Sequence, residues 1–131
     1  MIINTQLLDS LTEQAKVNPR LRQAYDLRTT PDDNSQRILN AMEPGTVLPI
    51  HRHRESTETI TVLRGKVVQH LYDNEGNLQE SIVMAPGSDV VAMSVELGQW
   101  HKAESLESGT VILECKDGKY SPLTEEDIMQ Y

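Results

Sequence analysis

The sequence is poor in cysteine and in aromatic residues. Cys115 is the only cysteine in 131 residues, and aromatic side chains make up 4% of the chain. A single cysteine excludes both an internal disulfide and a structural zinc site built from cysteines. Because structural disulfides mark oxidising compartments, a lone cysteine suits a protein of a reducing compartment such as the cytoplasm.

Long apolar runs and a concentrated basic surface are also missing. No segment approaches the roughly 20 apolar residues that a membrane span needs, and residues 1–4 lack the basic and apolar regions of a signal peptide. The formal net charge of −8 disfavours nucleic acid as a partner, since its phosphates attract basic proteins. We therefore expect a cytoplasmic protein that binds a small molecule, and neither nucleic acid nor a membrane.

The first quarter of the chain predicts one helix followed by a polar loop. Leucine and alanine recur at helical spacing over residues 5–17, and Pro19 ends that helix. Residues 20–34 show no periodicity and finish in a run of turn-forming polar residues. We expect residues 1–34 to form a helix and a loop that pack on the rest of a single domain.

The remainder consists of short β-prone segments separated by glycine and proline. Residues 72–77 predict a hairpin turn. Many short strands with frequent turns are typical of an antiparallel sandwich or barrel, which we assign to residues 35–123. Residues 124–131 form either a tail or a short helix, since Thr124 and Asp127 resemble a capping box. The β-prone segments are residues 60–62, 67–68, 82–83, 90–91 and 110–112.

Three of the four histidines lie at sequence positions from which their side chains can form one site. His51 and His53 alternate along an extended segment, so their imidazoles project to one face. Glu58 begins the next β-prone segment, and a turn at Gly98 delivers His101 to the head of a later strand. Imidazole and carboxylate suit Zn, Fe, Mn or Ni, and three histidines with one carboxylate leave room for water or substrate. The pattern predicts one divalent metal ion bound by His51, His53, Glu58 and His101.

This spacing resembles the first motif of the cupins, G-x5-H-x-H-x4-E-x6-G. All five fixed positions are filled between Gly45 and Gly65. The second motif, G-x5-P-x-G-x2-H-x3-N, is met only at Gly98 and His101, and Glu96 replaces its proline. The resemblance implies an all-β fold, a cupin-type antiparallel jelly-roll β-barrel with an N-terminal helical segment, and pairing into a homodimer.

The wider chain resembles the WbuC family of cupin-fold metalloproteins, which occur near surface-polysaccharide synthesis functions in bacteria. This resemblance covers most of the chain and implies a metalloprotein linked to polysaccharide synthesis, without defining a reaction. Its similar stretches are residues 18–22, 36–41 and 98–101, followed by Glu114, Lys116, Tyr120 and Pro122.

Two functions of different classes fit this site. One is a metal-dependent enzyme acting on a small polar or sugar-derived molecule, either an isomerase, epimerase or lyase that stabilises an enediolate or oxyanion, or an iron dioxygenase. Glu58 then serves as a ligand or as a general base. The other is a non-catalytic metal- or sugar-binding module with a regulatory role. The candidate substrate-binding residues are Gln36, Arg37, Asn40, Trp100, Lys116 and Tyr120.

Several candidates also have ordinary structural interpretations. Glu58 could pair with Arg52 or Arg54 instead of approaching a metal. Arg37 could be an exposed charge before the barrel, which we favour slightly over a substrate contact. Trp100 could equally be a buried core indole.

The last strand leaves a similar choice open. Glu114 and Lys116 share the face of Ile112, and form either a surface pair or part of the barrel mouth. No motif includes His70, which we interpret as structural. Cys115 is interpreted as a core residue, because no activating partner for its thiol is visible.

Overall fold

The computed structural model describes residues 1–129. Gln130 and Tyr131, which end the expected tail at 124–131, lie outside the described residues. Residues 125–127 form a single 3-10 turn, Glu125–Asp127. The other elements are α1 (Thr5–Val17), β1 (Arg22–Asp26), β2 (Ser35–Met42), β3 (Glu58–Arg64), β4 (Val67–Tyr72), β5 (Leu78–Met84), β6 (Ala92–Val95), β7 (Trp100–Ser105) and β8 (Thr110–Asp117).

The strands form two antiparallel sheets that enclose a barrel core. The larger sheet has the order β1-β2-β8-β3-β6, and the smaller has the order β5-β4-β7. This confirms the predicted all-β barrel with an N-terminal helix. The predicted hairpin turn joins β4 to β5, where Asp73 Oδ1 accepts hydrogen bonds of 2.9 and 2.8 Å from the amides of Glu75 and Asn77.

Helix α1 begins and ends where its sequence signals predict. Asn4 precedes it, and its side-chain oxygen accepts a hydrogen bond of 3.0 Å from the amide of Leu7, which satisfies one of the free amides of the first turn. Asn18 ends the helix in an extended conformation, which the following Pro19 favours.

Alternation along the strands of the larger sheet separates two apolar clusters. Ile112 faces the barrel interior and packs in a cluster with Val67 of the smaller sheet. Its neighbour Val111 faces the outside and packs with Leu11 and Ala15 of α1. The helix therefore covers the outer face of the larger sheet and leaves the barrel mouth open.

Two strand predictions differ from the structure. The sequence predicts no strand within 20–34, yet β1 lies there at the edge of the larger sheet. Three of the five residues of β1 are exposed, so it lacks the alternation of a half-buried strand. The strand predicted at 90–91 begins at Ala92 instead, because Ala85 N donates a hydrogen bond of 3.0 Å to Val90 O and closes a turn.

Gly65, the last fixed position of the histidine-containing motif, is required by packing. Its φ is 87°, and a Cβ at this position would lie 2.6 Å from Thr110 Cα. Because Thr110 Cα belongs to the backbone of β8, a larger residue would force the β3–β4 turn away from that strand. The glycine therefore shapes the barrel and does not contribute to the histidine site.

Candidate metal centre

The three predicted histidine ligands converge at one end of the barrel. His51 pairs with His101 of β7 through backbone hydrogen bonds of 3.0 and 2.8 Å. The ring centroid of His53 lies 5.1 Å from that of His51 and 5.4 Å from that of His101. One ring nitrogen of each histidine lies within 4.8 Å of the other two. Such an arrangement can supply three ligands to one ion.

Backbone carbonyls orient two of the three rings. His51 Nδ1 lies 3.0 Å from Pro49 O, and His101 Nδ1 lies 2.8 Å from Gln99 O. Because a carbonyl only accepts, each Nδ1 carries the proton and each Nε2 keeps its lone pair. Metal-bound histidines in proteins are oriented in this way.

Two buried ring nitrogens of the cluster lack a hydrogen-bond partner among residues 1–129. They are Nε2 of His53 and Nε2 of His101. A buried polar atom without a partner costs about 1–3 kcal/mol, and a coordinated ion would remove that cost. The donor atoms present therefore fit a divalent metal ion.

Glu58, the first residue of β3, contacts the cluster from one side. Its Oε2 lies 2.8 Å from His53 Nε2, in a geometry that does not form a hydrogen bond, and 3.7 Å from Lys116 Nζ. Burial acts to raise the pKa of Glu58, but the contact with His53 and the charge of Lys116 outweigh it and lower the pKa to about 2. Glu58 is thus a buried carboxylate at neutral pH, available as a ligand or as a proton acceptor.

The two arginines beside the histidines contact the C-terminal segment. Asp127 Oδ1 lies 2.7 Å from Arg54 Nε and 3.4 Å from Arg52 Nε. The alternative in which these arginines pair with Glu58 is therefore wrong.

Burial keeps the histidines in the form that binds metal. It lowers the pKa of His51 to about 4, with a further contribution from the neighbouring His101. Burial also lowers the pKa of His101. Because a metal requires a neutral imidazole, both rings are ready at neutral pH without releasing a proton.

A cavity of about 670 Å³ opens beside His51 and His53. Residues 51–56 form one wall, and residues 116–124 form another. Gln36, Lys116 and Tyr120, three of the predicted substrate-binding residues, line the cavity. Ligand cavities for small molecules have volumes of about 300–1,000 Å³, so this one can accommodate a metabolite-sized ligand.

The other three predicted substrate-binding residues do not line the cavity. Arg37 faces the α1 side of β2, where its Nη2 lies 2.6 Å from Asp33 Oδ2, so the structure does not bring it to the cavity. Trp100 alternates with His101, so its ring faces away from the cluster, beneath the guanidinium of Arg52 at 4.6 Å. Asn40 faces the barrel interior farther from the mouth, and its buried Oδ1 lacks a partner within residues 1–129.

Strand β8 brings two titratable side chains to the barrel mouth. Glu114 and Lys116 share the face of Ile112, whose side chain lies in the interior core. This settles the choice in favour of the mouth. Burial and the charge of Glu58 raise the pKa of Glu114 to about 8. Alternation alone could not make this choice, because Val111 and Ile112 are both fully buried on opposite faces.

His70 and Cys115 lie outside the candidate site. His70 Nδ1 lies 2.7 Å from Ser81 Oγ, and its Nε2 lies 3.6 Å from Glu104 Oε2. These contacts are on the outer face of the smaller sheet, which agrees with a structural role. Cys115 is partly buried and faces away from Glu114 along β8.

Solved structures of similar fold are cupin-fold proteins. KdgF from a Halomonas species superposes with a TM-score of 0.61 and 22% identity, over 79% of this chain and 85% of that one. The capsular polysaccharide assembling protein CapF from Staphylococcus aureus has a TM-score of 0.64 and 23% identity, over 81% of this chain and 28% of that one. A mutant of Bacillus subtilis oxalate decarboxylase OxdC has a TM-score of 0.59 and 20% identity, over 76% of this chain and 26% of that one. The chain thus spans most of KdgF but only about a quarter of the other two chains.

The protein is therefore a cupin-fold barrel with a cluster of three histidines at its mouth. Residues 3–84, more than half of the chain, match the family described as a domain of unknown function, DUF6016, and the chain belongs to that family. None of the curated proteins matches it. Within residues 1–129, no helix has the length and apolar character that a membrane crossing requires.

Proposed function

We propose that this protein binds one divalent metal ion through His51, His53 and His101, with Glu58 as a fourth ligand or as a base, and acts on a small molecule in the adjoining cavity. The observation that carries the proposal is the convergence of three histidine nitrogens within 4.8 Å beside a cavity with polar walls. Structural metal sites are closed by protein ligands, whereas catalytic sites leave a position open. The cavity supplies that open side.

The residues around the cluster support a reaction that moves a proton. A bound divalent ion would polarise a substrate oxygen and stabilise negative charge on it. Glu58, ionised at neutral pH, can accept a proton at Oε2. Lys116, whose Nζ lies 3.7 Å from that oxygen, can attract a negatively charged substrate group and donate a hydrogen bond to it. These roles fit an isomerase, epimerase or lyase.

The metal is proposed to be Zn, Fe, Mn or Ni, whose preferences all include imidazole and carboxylate ligands. One oxalate decarboxylase of similar fold is described with Mn(II) centres. An iron-dependent dioxygenase remains the second candidate chemistry, because three histidines and one carboxylate also suit iron.

We further propose a cytoplasmic protein, paired as a homodimer and linked to surface-polysaccharide synthesis. The resemblance of residues 18–22 and 36–41 to the WbuC family supports the link, as does the similar fold in a capsular polysaccharide assembling protein. A sugar or a sugar-derived molecule is then the expected ligand. The exposed edge strand β1 offers backbone groups through which two copies could pair.

The first experiment measures the metal. The protein is purified without an affinity tag, and its bound metals are measured by elemental mass spectrometry. The metal-loaded protein is then screened against sugars, nucleotide sugars and small keto acids, with binding followed by calorimetry and product by mass spectrometry. If ligands bind but no product forms with any of several metals, the protein is a sugar-binding module and not an enzyme.

The variant Glu58→Gln separates the two roles of the carboxylate, because it keeps the size of the side chain and removes its charge. If Glu58 is the base, the variant keeps its metal and loses about 10²–10⁴-fold in turnover. If Glu58 is a ligand, metal affinity and turnover fall together. Wild-type turnover in this variant would exclude both roles.

A further inference from the structure

The C-terminal segment crosses the mouth of the cavity between two fixed points. At the first point, Gly118 N donates a hydrogen bond of 2.7 Å to Asn34 O, and Gly118 O accepts one of 3.2 Å from Gln36 Nε2. Residues 119–123, termed the strap, follow directly and form one wall of the cavity. The strap therefore shares the cavity with the segment that carries His51 and His53.

The second fixed point combines backbone pairing with an ion pair. Arg52 N donates a hydrogen bond of 3.0 Å to Asp127 O, and Met129 N donates one of 2.8 Å to Ile50 O. The Asp127 carboxylate, whose side chain is 15% exposed, contacts the guanidinium groups of Arg52 and Arg54. We term Asp127 and these two arginines the latch.

The strap itself has little support. All five of its residues are exposed, and within residues 1–129 no backbone hydrogen bond ties it to the rest of the chain. Its side-chain contacts are at the surface, where Lys119 Nζ lies 3.9 Å from Asp32 Oδ1 and Arg28 lies 5.4 Å from the Tyr120 ring. Segments with exposed backbone and few contacts open at low free-energy cost.

We propose that the strap is a lid over the histidine cluster, which turns about Gly118 and is closed by the latch. Gly118 has a φ of 86°, in the region that glycine adopts without strain, so the backbone can change direction there. Arg52 lies between His51 and His53 in the chain, so closing the latch also fixes the histidine segment. The assignment of the covered cluster as a metal site rests on the proposed function.

Two variants test the latch. Asp127→Asn keeps the size of the side chain and removes the charge that both arginines bind. Glu126→Gln is the matched control, since Glu126 is an exposed acid on the same turn whose carboxylate contacts only Arg54, at 3.0 Å.

Two measurements on the metal-free protein separate loosening of the latch from access to the site. Hydrogen exchange of the Arg52 and Met129 amides reports the latch. The rate at which diethyl pyrocarbonate modifies His51 and His53, followed by peptide mass spectrometry, reports access. His70, on the outer face of the smaller sheet, is the internal reference and should react at the same rate in every variant.

We expect Asp127→Asn to accelerate both amide exchange and histidine modification by about tenfold, the effect of losing a hydrogen bond to a charged group. Glu126→Gln should keep wild-type rates. Faster amide exchange with unchanged histidine modification would show that the latch loosens without uncovering the site, and would overturn the proposal.

The variant Pro122→Gly tests the strap directly and decides the question if Asp127→Asn does not fold. Glycine widens the conformational range of the strap without touching the latch. His51 and His53 should react faster, while the latch amides exchange at the wild-type rate. Unchanged modification would exclude a lid. Because every measurement uses metal-free protein, a wild-type protein that retains no metal would refute the metal site and leave this test intact.

Discussion

The barrel interior has an apolar end and a polar end, although the same strands run through both. On β8, Ile112 is fully buried in the core, whereas Lys116, four residues later, lines the cavity. On β7, Ala103 belongs to the core and His101 to the histidine cluster. Hydrophobic burial at the apolar end therefore stabilises the fold. The charged groups at the polar end contribute little to that stabilisation. Substitutions at the two ends should affect different properties.

The largest effect is expected at the polar end, on metal binding. Metal affinity should fall by at least about 100-fold in each of the variants His51→Ala, His53→Ala and His101→Ala. Loss of a residue that only contacts a ligand costs up to about 100-fold, and loss of the ligand itself should cost more. The barrel should stay folded, as judged by circular dichroism. His70→Ala is the matched control and should keep the metal content that elemental mass spectrometry finds in the wild type. Undiminished metal in all three variants would refute the site.

At the apolar end the expected effect is on stability. Ile112→Ala leaves a cavity in the core and should lower the free energy of unfolding by about 2–5 kcal/mol, and Ile112→Val by about 0.5–1.5 kcal/mol. Urea denaturation measures both. Metal stoichiometry at 25 °C should not change in the Val variant, whose fold is only mildly weakened. Parallel loss of metal and stability there would show that the two ends are not independent.

Glu114 lies between the two ends, and its effect should depend on pH. Its pKa is raised from 4.5 to about 8, so the folded protein binds this proton more tightly than the unfolded chain. Its contribution to stability is therefore present below pH 4.5 and is lost as the pH rises to about 8. In metal-free protein, Glu114→Gln should unfold with a free energy that exceeds the wild-type value by more at pH 8 than at pH 4.5.

Urea denaturation at a series of pH values checks this difference. The titration of His51, whose lowered pKa removes stability as the pH falls from 6.5 to about 4, is common to both proteins and largely cancels. A gap that stays constant or narrows with rising pH would contradict the raised pKa of the Glu114 carboxyl.

The smallest effect is expected at Glu96, which replaces the proline of the second cupin motif. Glu96 follows the last residue of β6, an edge strand, and its carbonyl accepts a hydrogen bond of 3.2 Å from Gln99 N, which proline preserves. Glu96→Pro should raise stability by about 0.4–1 kcal/mol by restricting the unfolded chain. Thermal unfolding is the measurement. A clear loss of stability would show that this turn departs from the motif.

His51, His53 and Glu58 could be predicted because their signals are local in sequence. His51 and His53 alternate, and Glu58 begins the next strand. The charged groups of the mouth depend instead on pairing between distant segments. Lys116 pairs with Glu58 only through the register of β8 and β3, and Asp127 meets Arg54 across 73 positions of the chain.

The position of Arg37 away from the cavity could not be predicted for the same reason. The sequence places it on β2 but does not show which face of that strand is interior, because Leu39 and Met42, on opposite faces, are both buried. Only the packing of α1 against one face decides the orientation.

The central position of β8 has a consequence for biosynthesis. β8 lies between β2 and β3 in the larger sheet, yet among the strands of residues 1–129 it is the last to leave the ribosome. Until β8 emerges, the edges of β2 and β3 that pair with it remain unpaired. Pairing between such distant segments is slow. A nascent chain that ends between residues 101 and 109 has all three histidines but not β8, the strand that pairs with Glu58. We expect metal loading to follow the synthesis of β8, and a ribosome-stalled chain that lacks this strand to be a client for chaperones.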